Sequence, residues 1–290
     1  MVKVLMEQIK IAAGIVTYNS DTERLEENIK SIINQVETVI ISDNASSNIG
    51  ELEALADRYH IKLIRNNSNR GIACGLNQCI ECARQEGYDW IITLDQDSIC
   101  PANIIVASMK HLVIKEVAMV VPLIRESNSG EVCLLGEDIN GKEWQEVRKC
   151  ITSAAVTNIH AWEKVRGFDE YLFIDYVDYD FAMKVRLNHY KIIRMNNVIL
   201  DHQIGDSKLK TIFHYKIRVA NHPAFRKYYI ARNMIIYMKR YGRYLDLAQE
   251  TLRMIKVFLL IILYENNKTS KLRAYVCGVR DGIAYRNHGS

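Results

Sequence analysis

The sequence has no run of about 20 apolar residues, the length a bilayer-crossing helix needs. Its longest apolar run is Val257 to Tyr264, too short to span. The opening residues, Met1-Val2-Lys3-Val4-Leu5-Met6-Glu7-Gln8, lack the basic start and apolar core of a secretory signal, so none is expected. Proline is scarce, with three in 290 residues, and there is no internal repeat or low-complexity stretch. With 49% hydrophobic and 25% charged residues, this excludes a disordered chain and leaves ample material for a core. The seven cysteines are odd in number and show no small-domain disulfide spacing, which fits a reducing, cytoplasmic location. Cys79 and Cys82 form a C-x-x-C pair inside a helical pattern, with no second pair or histidine cluster nearby. They read as packing residues rather than zinc ligands.

What is present is unevenly distributed. The formal net charge is +4, yet residues 1–207 hold 21 Lys and Arg against 30 Asp and Glu, a net of −9. Residues 208–290 hold 17 against 4, a net of +13. A basic block of that size exceeds what solubility asks for and points to an anionic partner, a membrane surface or phosphates. The two parts divide the chain into a catalytic domain over 1–207 and a basic helical extension over 208–290.

Hydrophobic periodicity gives the order of elements. Ile11 to Tyr18 is an apolar strand, and Leu25, Ile29, Ile32 and Ile33 follow at helical spacing. Val39 to Ser42, Ile61 to Ile64, Trp90 to Leu94, Val117 to Leu123 and Ile192 to Leu200 read as further strands with helical patterns between several of them. Alternating strands and helices with short polar loops predict a doubly wound, mostly parallel, Rossmann-like sheet. Residues 125–150 are polar and irregular and predict a hairpin or excursion, and Ser153 to Val156 leads into a helix near His160. From Lys208 onward the pattern predicts long helices.

Acids collect where strands end. Leu94-Asp95-Gln96-Asp97-Ser98 places two carboxylates at the mouth of a buried strand, where a divalent cation would offset their charge. Asp-x-Asp alone is as readily a solvated turn. Asp43 closes another strand and suits a base or a ribose hydroxyl, and His202 follows a third and can offer an imidazole to a metal. Asp175, Asp178 and Asp180 form a second acidic group at a helix start, where one could accept a proton.

Thr17-Tyr18-Asn19, Asp43-Asn44-Ala45-Ser46, Asn69-Arg70-Gly71-Ile72-Ala73, Leu94-Asp95-Gln96-Asp97-Ser98 and Phe173-Ile174-Asp175-Tyr176-Val177-Asp178 occur in one order over about residues 9–235. That set resembles the inverting family-2 glycosyltransferases of the GT-A fold, and within them the bacterial rhamnosyltransferases. The resemblance implies a nucleotide-sugar donor, dTDP-L-rhamnose, and Mg²⁺ or Mn²⁺ on its diphosphate. Thr17, Asn19 and Asp43 would line the nucleotide pocket with Arg70 close by. Asp95 would touch ribose and metal, Asp97 would be the main metal ligand, and His202 the late metal-site histidine. Arg232 would steady the leaving group. Asp178 falls at the family's catalytic aspartate, but Val177 stands where many relatives have Glu, so Asp175 and Asp180 stay open as alternatives. The acceptor implied is a glycan or lipid-linked glycan in cell-wall or surface-polysaccharide assembly, with no nucleic-acid partner. The enzyme would be peripheral at the inner face of the cell membrane, and a homo-oligomer is open. The alternatives are the same fold with a UDP-sugar, or a non-catalytic membrane- or glycan-binding protein. A sugar nucleotidyltransferase would need a Gly-rich N-terminal phosphate loop, which the sequence lacks.

Overall fold

The apolar runs become the strands of one large sheet. The computed structural model describes residues 9–126, 131–133, 138–139, 141–202, 207–212 and 215–286. The chain divides into two units, Met1–Tyr171 with Val177–Gln203, and Leu172–Tyr176 with Ile204–Ser290.

The first unit begins with β1 (Ile11–Thr17), α1 (Thr22–Ile32), β2 (Thr38–Asp43), α2 (Ile49–Tyr59), β3 (Lys62–Arg65), α3 (Gly71–Gln85) and β4 (Trp90–Asp95). It continues with α4 (Ile104–Leu112), β5 (Val117–Glu126), β6 (Val132–Cys133), β7 (Trp144–Glu146), β8 (Ala155–Asn158), α5 (Ile159–Lys164), α6 (Val177–Leu187) and β9 (Lys191–His202). The strand order is β3-β2-β1-β4-β8-β5-β9-β7, with β6 on β5. β1 pairs in parallel with both β2 and β4, and β5 with β9. β8 runs against both β4 and β5, so β5 and β9 point the same way as β1 to β4. The sheet is mixed but mostly parallel, as the element order predicts.

Every residue of β1 is buried, as a central parallel strand covered on both faces requires. α1 starts at Asp21, whose side chain accepts from the Arg24 N–H at 2.9 Å, a cap worth about 1 kcal/mol. Its Leu25, Ile29 and Ile32 enter the core beside Ile15, Ile41 and Ile92. α3 lies close against β1: a Cβ on Gly75 would come within 2.9 Å of Val16 Cγ2.

The helix expected near His160 is present as α5 (Ile159–Lys164); one strand was not anticipated and one expectation is corrected. Ala155–Asn158 is a strand, four residues long and without the apolar run that marks the others, and its pairing with β4 and β5 defines it. Residues after 207 do not open with helices. They form an antiparallel hairpin, β10 (Ser207–Ile212) with β11 (Tyr215–Ala220). The signal is the alternation of Tyr215, Ile217 and Val219 with Lys216 and Arg218, a period of two that fits a strand and not a helix.

The second unit then supplies α7 (Ala224–Tyr241), α8 (Leu247–Tyr264) and α9 (Lys268–Ala284). α9 presses on α7 through Gly278 and Gly282, one turn apart. A Cβ on Gly278 would overlap the Tyr228 carbonyl oxygen, and one on Gly282 would sit 2.8 Å from that of Arg232. Gly278→Ala is therefore expected to lower the urea midpoint by about 1–3 kcal/mol of stability. Gly50→Ala, whose Cβ meets nothing within 4 Å, is expected to leave it unchanged or raise it. Equal midpoints for Gly278→Ala and wild type would rule out the tight crossing.

Candidate active site

Three strand ends converge at one edge of the sheet. In the register of β1, Thr17 stands beside Asp43 of β2, and Val16 beside Asp95 of β4. Neighbouring strands are ~4.8 Å apart, so Asp43 and Asp95 flank the end of β1 about 10 Å from each other. The chain leaves β1 toward β2 on one side and finds β4 on the other. That is the switch point of a doubly wound sheet, where a crevice opens beyond the strands' carboxyl ends.

Asp43 is buried, and hydrogen bonds satisfy its side-chain oxygens. One oxygen accepts from Thr17 Oγ1 at 3.0 Å and from the Ser46 hydroxyl, and the other from the Ser46 N–H at 2.9 Å. Asn19 adopts a left-handed backbone (φ 46°), a conformation asparagine tolerates. Its side-chain oxygen accepts from Ser47 N–H at 2.8 Å, and its own N–H donates to Ser46 Oγ at 2.7 Å. Thr17, Asn19 and Asp43 therefore meet through Ser46, the last residue of the Asp43-Asn44-Ala45-Ser46 motif. Asn44 extends the floor: its Nδ2 donates to the Gly71 carbonyl at 3.1 Å and its Oδ1 accepts from the Arg70 N–H at 3.2 Å. Arg70 thus stands at the entry of α3 beside the pocket. Its guanidinium lies 3.3 Å from Glu170 with both side chains about half exposed, a pair worth little to stability.

The Asp95–Ser98 loop is pinned through its backbone. Asn28 Nδ2 donates to the Asp95 carbonyl at 2.6 Å and Arg24 Nε to the Asp97 carbonyl at 2.9 Å. Gln96 Oε1 accepts from the Tyr18 N–H at 2.8 Å, tying the loop to the end of β1. Ser98 Oγ and Ser153 Oγ are 2.7 Å apart. Asp95 is half-buried and Asp97 exposed. Among the described residues no three His, Cys, Asp or Glu side chains gather to hold a cation. Two carboxylates without an enclosing cage fit a hard divalent cation that takes its remaining ligands from water and a bound phosphate. His202 closes β9 opposite Glu126, and its imidazole lies outside the described residues.

The second acidic group separates into three environments. Asp178, half-buried in the first turn of α6, accepts from the Tyr179 N–H at 3.0 Å. Its charge reaches Cys150, whose thiol is pushed up by burial first and by Asp178 second. Cys150 lies on the same loop as Ser153, and Lys149 sits 5.7 Å over the Tyr179 ring. The loop Lys149–Ser153, in sequence merely irregular, therefore runs from the Asp95–Ser98 loop to Asp178. Asp180 is buried with the Lys184 ammonium 3.8 Å away, a place that keeps it from an incoming hydroxyl.

Asp175 belongs to the second unit, where Arg226 grips it through three contacts of 3.0–3.2 Å. Burial raises its pKa above the usual carboxylate value while Arg226 pulls the other way. Arg232 is placed differently from the expectation of a cation free to meet a leaving group. It is buried, donates to the Leu172 carbonyl at 3.2 Å and to Asn233 Oδ1 at 2.9 Å, and lies over the Tyr229 ring at 4.6 Å. The basic stretch from 208 onward carries no sign of this burial in one dimension. Asn233, which the reading gave no role, donates to the carbonyls of Leu172, Ile174 and Asp175.

This mixed, mostly parallel sheet with its switch point is the GT-A fold. Solved structures share the fold. A mannosyltransferase from Pyrobaculum calidifontis in complex with GDP-Man and Mn²⁺ superposes with a TM-score of 0.59 at 15% identity, covering 97% of this chain and 76% of its own. GalNAc-T7 with UDP, GalNAc and Mn²⁺ gives 0.58 at 12% identity, covering 80% of this chain and 48% of its own. Residues 13–132 match the family model "Glycosyl transferase family 2". The chain is 28% identical over 286 residues to the dTDP-rhamnosyl transferase RfbF of Shigella flexneri, covering 94% of this chain and 95% of that one. Residues 13–132 thus carry a family-2 glycosyltransferase domain, and the chain along nearly its whole length is similar to a rhamnosyltransferase.

The Asp175–Arg226 pair yields a test of its role. Arg226→Ala leaves a carboxylate in a buried place and is expected to cost about 2 kcal/mol in urea unfolding. This is less than the ~3–5 kcal/mol of a fully buried pair, because Arg226 is about one-third exposed. Asp175→Asn added to Arg226→Ala should recover part of that loss. A double variant no more stable than Arg226→Ala alone would show that the two do not act as a pair.

Proposed function

We propose that the protein transfers L-rhamnose from dTDP-L-rhamnose to a hydroxyl of a glycan or lipid-linked glycan, with inversion, in cell-wall or surface-polysaccharide assembly. The observation that supports the reading is the register across β1, which sets the hydrogen-bonded Asp43 and Asp95 on either side of the end of that strand. The likeness to a dTDP-rhamnosyl transferase along nearly the whole chain supports rhamnose as the sugar. A UDP-sugar donor is the second reading, because a neighbour of the same fold was solved with UDP and GalNAc.

Asp43, with Thr17 and Asn19 beside it, offers acceptor oxygens for the base or ribose of the donor, and Arg70 offers a positive charge at the rim. Asp95 and Asp97 would hold Mg²⁺ or Mn²⁺, with His202 as a further ligand. A cation bound there supplies charge to offset the negative charge that builds on the diphosphate. Asp178 takes the proton of the acceptor hydroxyl as its oxygen forms a bond to the anomeric carbon. The bond from that carbon to the phosphate oxygen breaks on the opposite face, and its electron pair leaves with dTDP. One displacement inverts the configuration, and no covalent enzyme intermediate is needed. Asp178 is preferred to its neighbours because Asp175 is engaged by Arg226 and Asp180 is buried.

The test is a panel of nucleotide sugars incubated with an acceptor, with Mn²⁺ or with EDTA, and assayed for released nucleotide. Turnover is expected with dTDP-rhamnose and Mn²⁺, lost with EDTA and restored by adding the metal. Turnover with a UDP-sugar and not with dTDP-rhamnose would overturn the donor. Asp97→Ala is expected to abolish the metal dependence of donor binding measured by calorimetry. Asp178→Asn should keep donor affinity and lose transfer by about 10²–10⁴-fold, the usual share of a general base. Full transfer by Asp178→Asn would remove it as the base.

A further inference from the structure

The second unit carries a helix that is apolar on two opposite sides. Ala231, Ile261 and Tyr275 form a buried core, with Val257, Phe258 and Leu272 packed on it, which marks the inner side of α8. On the other side, at helical spacing, Leu252, Ile255, Leu259 and Leu263 are 66, 48, 46 and 56% exposed. Four large aliphatic side chains in water along one stripe are an unfavourable arrangement unless something apolar covers them. Lys256 shares that side and Arg253 borders it, both exposed.

Charge decides what the cover is. Residues 208–290 carry a net of +13, and their four carboxylates are engaged within the unit. Glu265 is buried between Lys227 and Lys271. Glu250 is buried with Arg253 3.8 Å away. Asp246 caps α8 by accepting from the Gln249 N–H, and Asp281 accepts from the Tyr228 hydroxyl and from Arg280. A second copy of this chain would bring an equally basic unit against the stripe, and the two would repel. An anionic lipid surface offers an apolar interior for the leucines and phosphates for the cations. α8 has 18 residues, about 27 Å of helix, and no helix among the described residues is long and apolar enough to cross a membrane.

We propose that α8 lies flat on an anionic bilayer, with Leu252, Ile255, Leu259 and Leu263 below the headgroups and Lys256 and Arg253 among the phosphates. This goes beyond the glycosyltransferase reading and does not depend on it, since the docking requires no nucleotide sugar.

The test is flotation of the full chain with vesicles of phosphatidylcholine alone or mixed with phosphatidylglycerol. Wild type is expected to float with the mixed vesicles, to stay down with phosphatidylcholine alone, and to be released by high salt. The double variant Leu259→Glu with Leu263→Glu changes two exposed positions and should keep its circular dichroism while its partition falls by tenfold or more. Lys256→Glu with Arg253→Glu should lower partition by about fivefold for each positive charge lost. Three results would overturn the proposal: no flotation of wild type with mixed vesicles, equal flotation of wild type and the leucine variant, or a wild-type dimer in ultracentrifugation that the leucine variant abolishes. The last would make the stripe an interface between copies.

Discussion

A carboxyl group buried at the end of a strand needs hydrogen-bond donors around it, and Asp43 is the one on which these loops depend. Its three donors come from the end of β1 and from the loop after β2, so satisfying the charge also joins those two chain segments. Ser46 then passes the constraint to Asn19, and Asn44 passes it to Gly71 and the start of α3. The first loops of the fold are thus shaped by where one anion can find hydrogen bonds. The same loops border the crevice.

Asp95 and Asp97 follow a different logic. Their loop is held through its carbonyls, by Asn28 and Arg24 of α1, and through Gln96 to Tyr18. A backbone fixed in this way fits a site completed by ligands from outside the protein. The contrast with Asp43 is physical: that acid is held through its side-chain oxygens, and the Asp95–Asp97 loop through its backbone carbonyls.

The second unit divides its charges by burial. Lys227 and Lys271 are buried against Glu265, and Arg232 is sandwiched by tyrosines and backbone carbonyls. These cations order the unit. The exposed ones, Arg253 and Lys256 among them, face solvent beside leucines. A count of basic residues cannot separate the two groups, since burial is decided by which helix faces meet.

Much was legible in one dimension because it rests on local chemistry. The strands β1, β2, β4, β5 and β9 are apolar runs, their helices carry the 3.6-residue period, and acids after strands mark the crevice edge. The order of quoted motifs led to the family that the comparisons support. What the chain order could not express is pairing across distance. Ala155–Asn158 becomes a strand because two others hydrogen-bond it, and Tyr215, Ile217 and Val219 alternate within a stretch dominated by basic residues. Of three acids within six residues, motif order favoured Asp178 and left Asp175 and Asp180 open, and tertiary contacts then gave Asp175 an arginine, Asp180 a buried place and Asp178 a half-buried one. By itself the sequence determined the element types and the acids at strand ends, since both follow from neighbours along the chain. The tertiary structure alone decided the partners and burial of those acids, because these depend on donors and cations brought from tens of residues away.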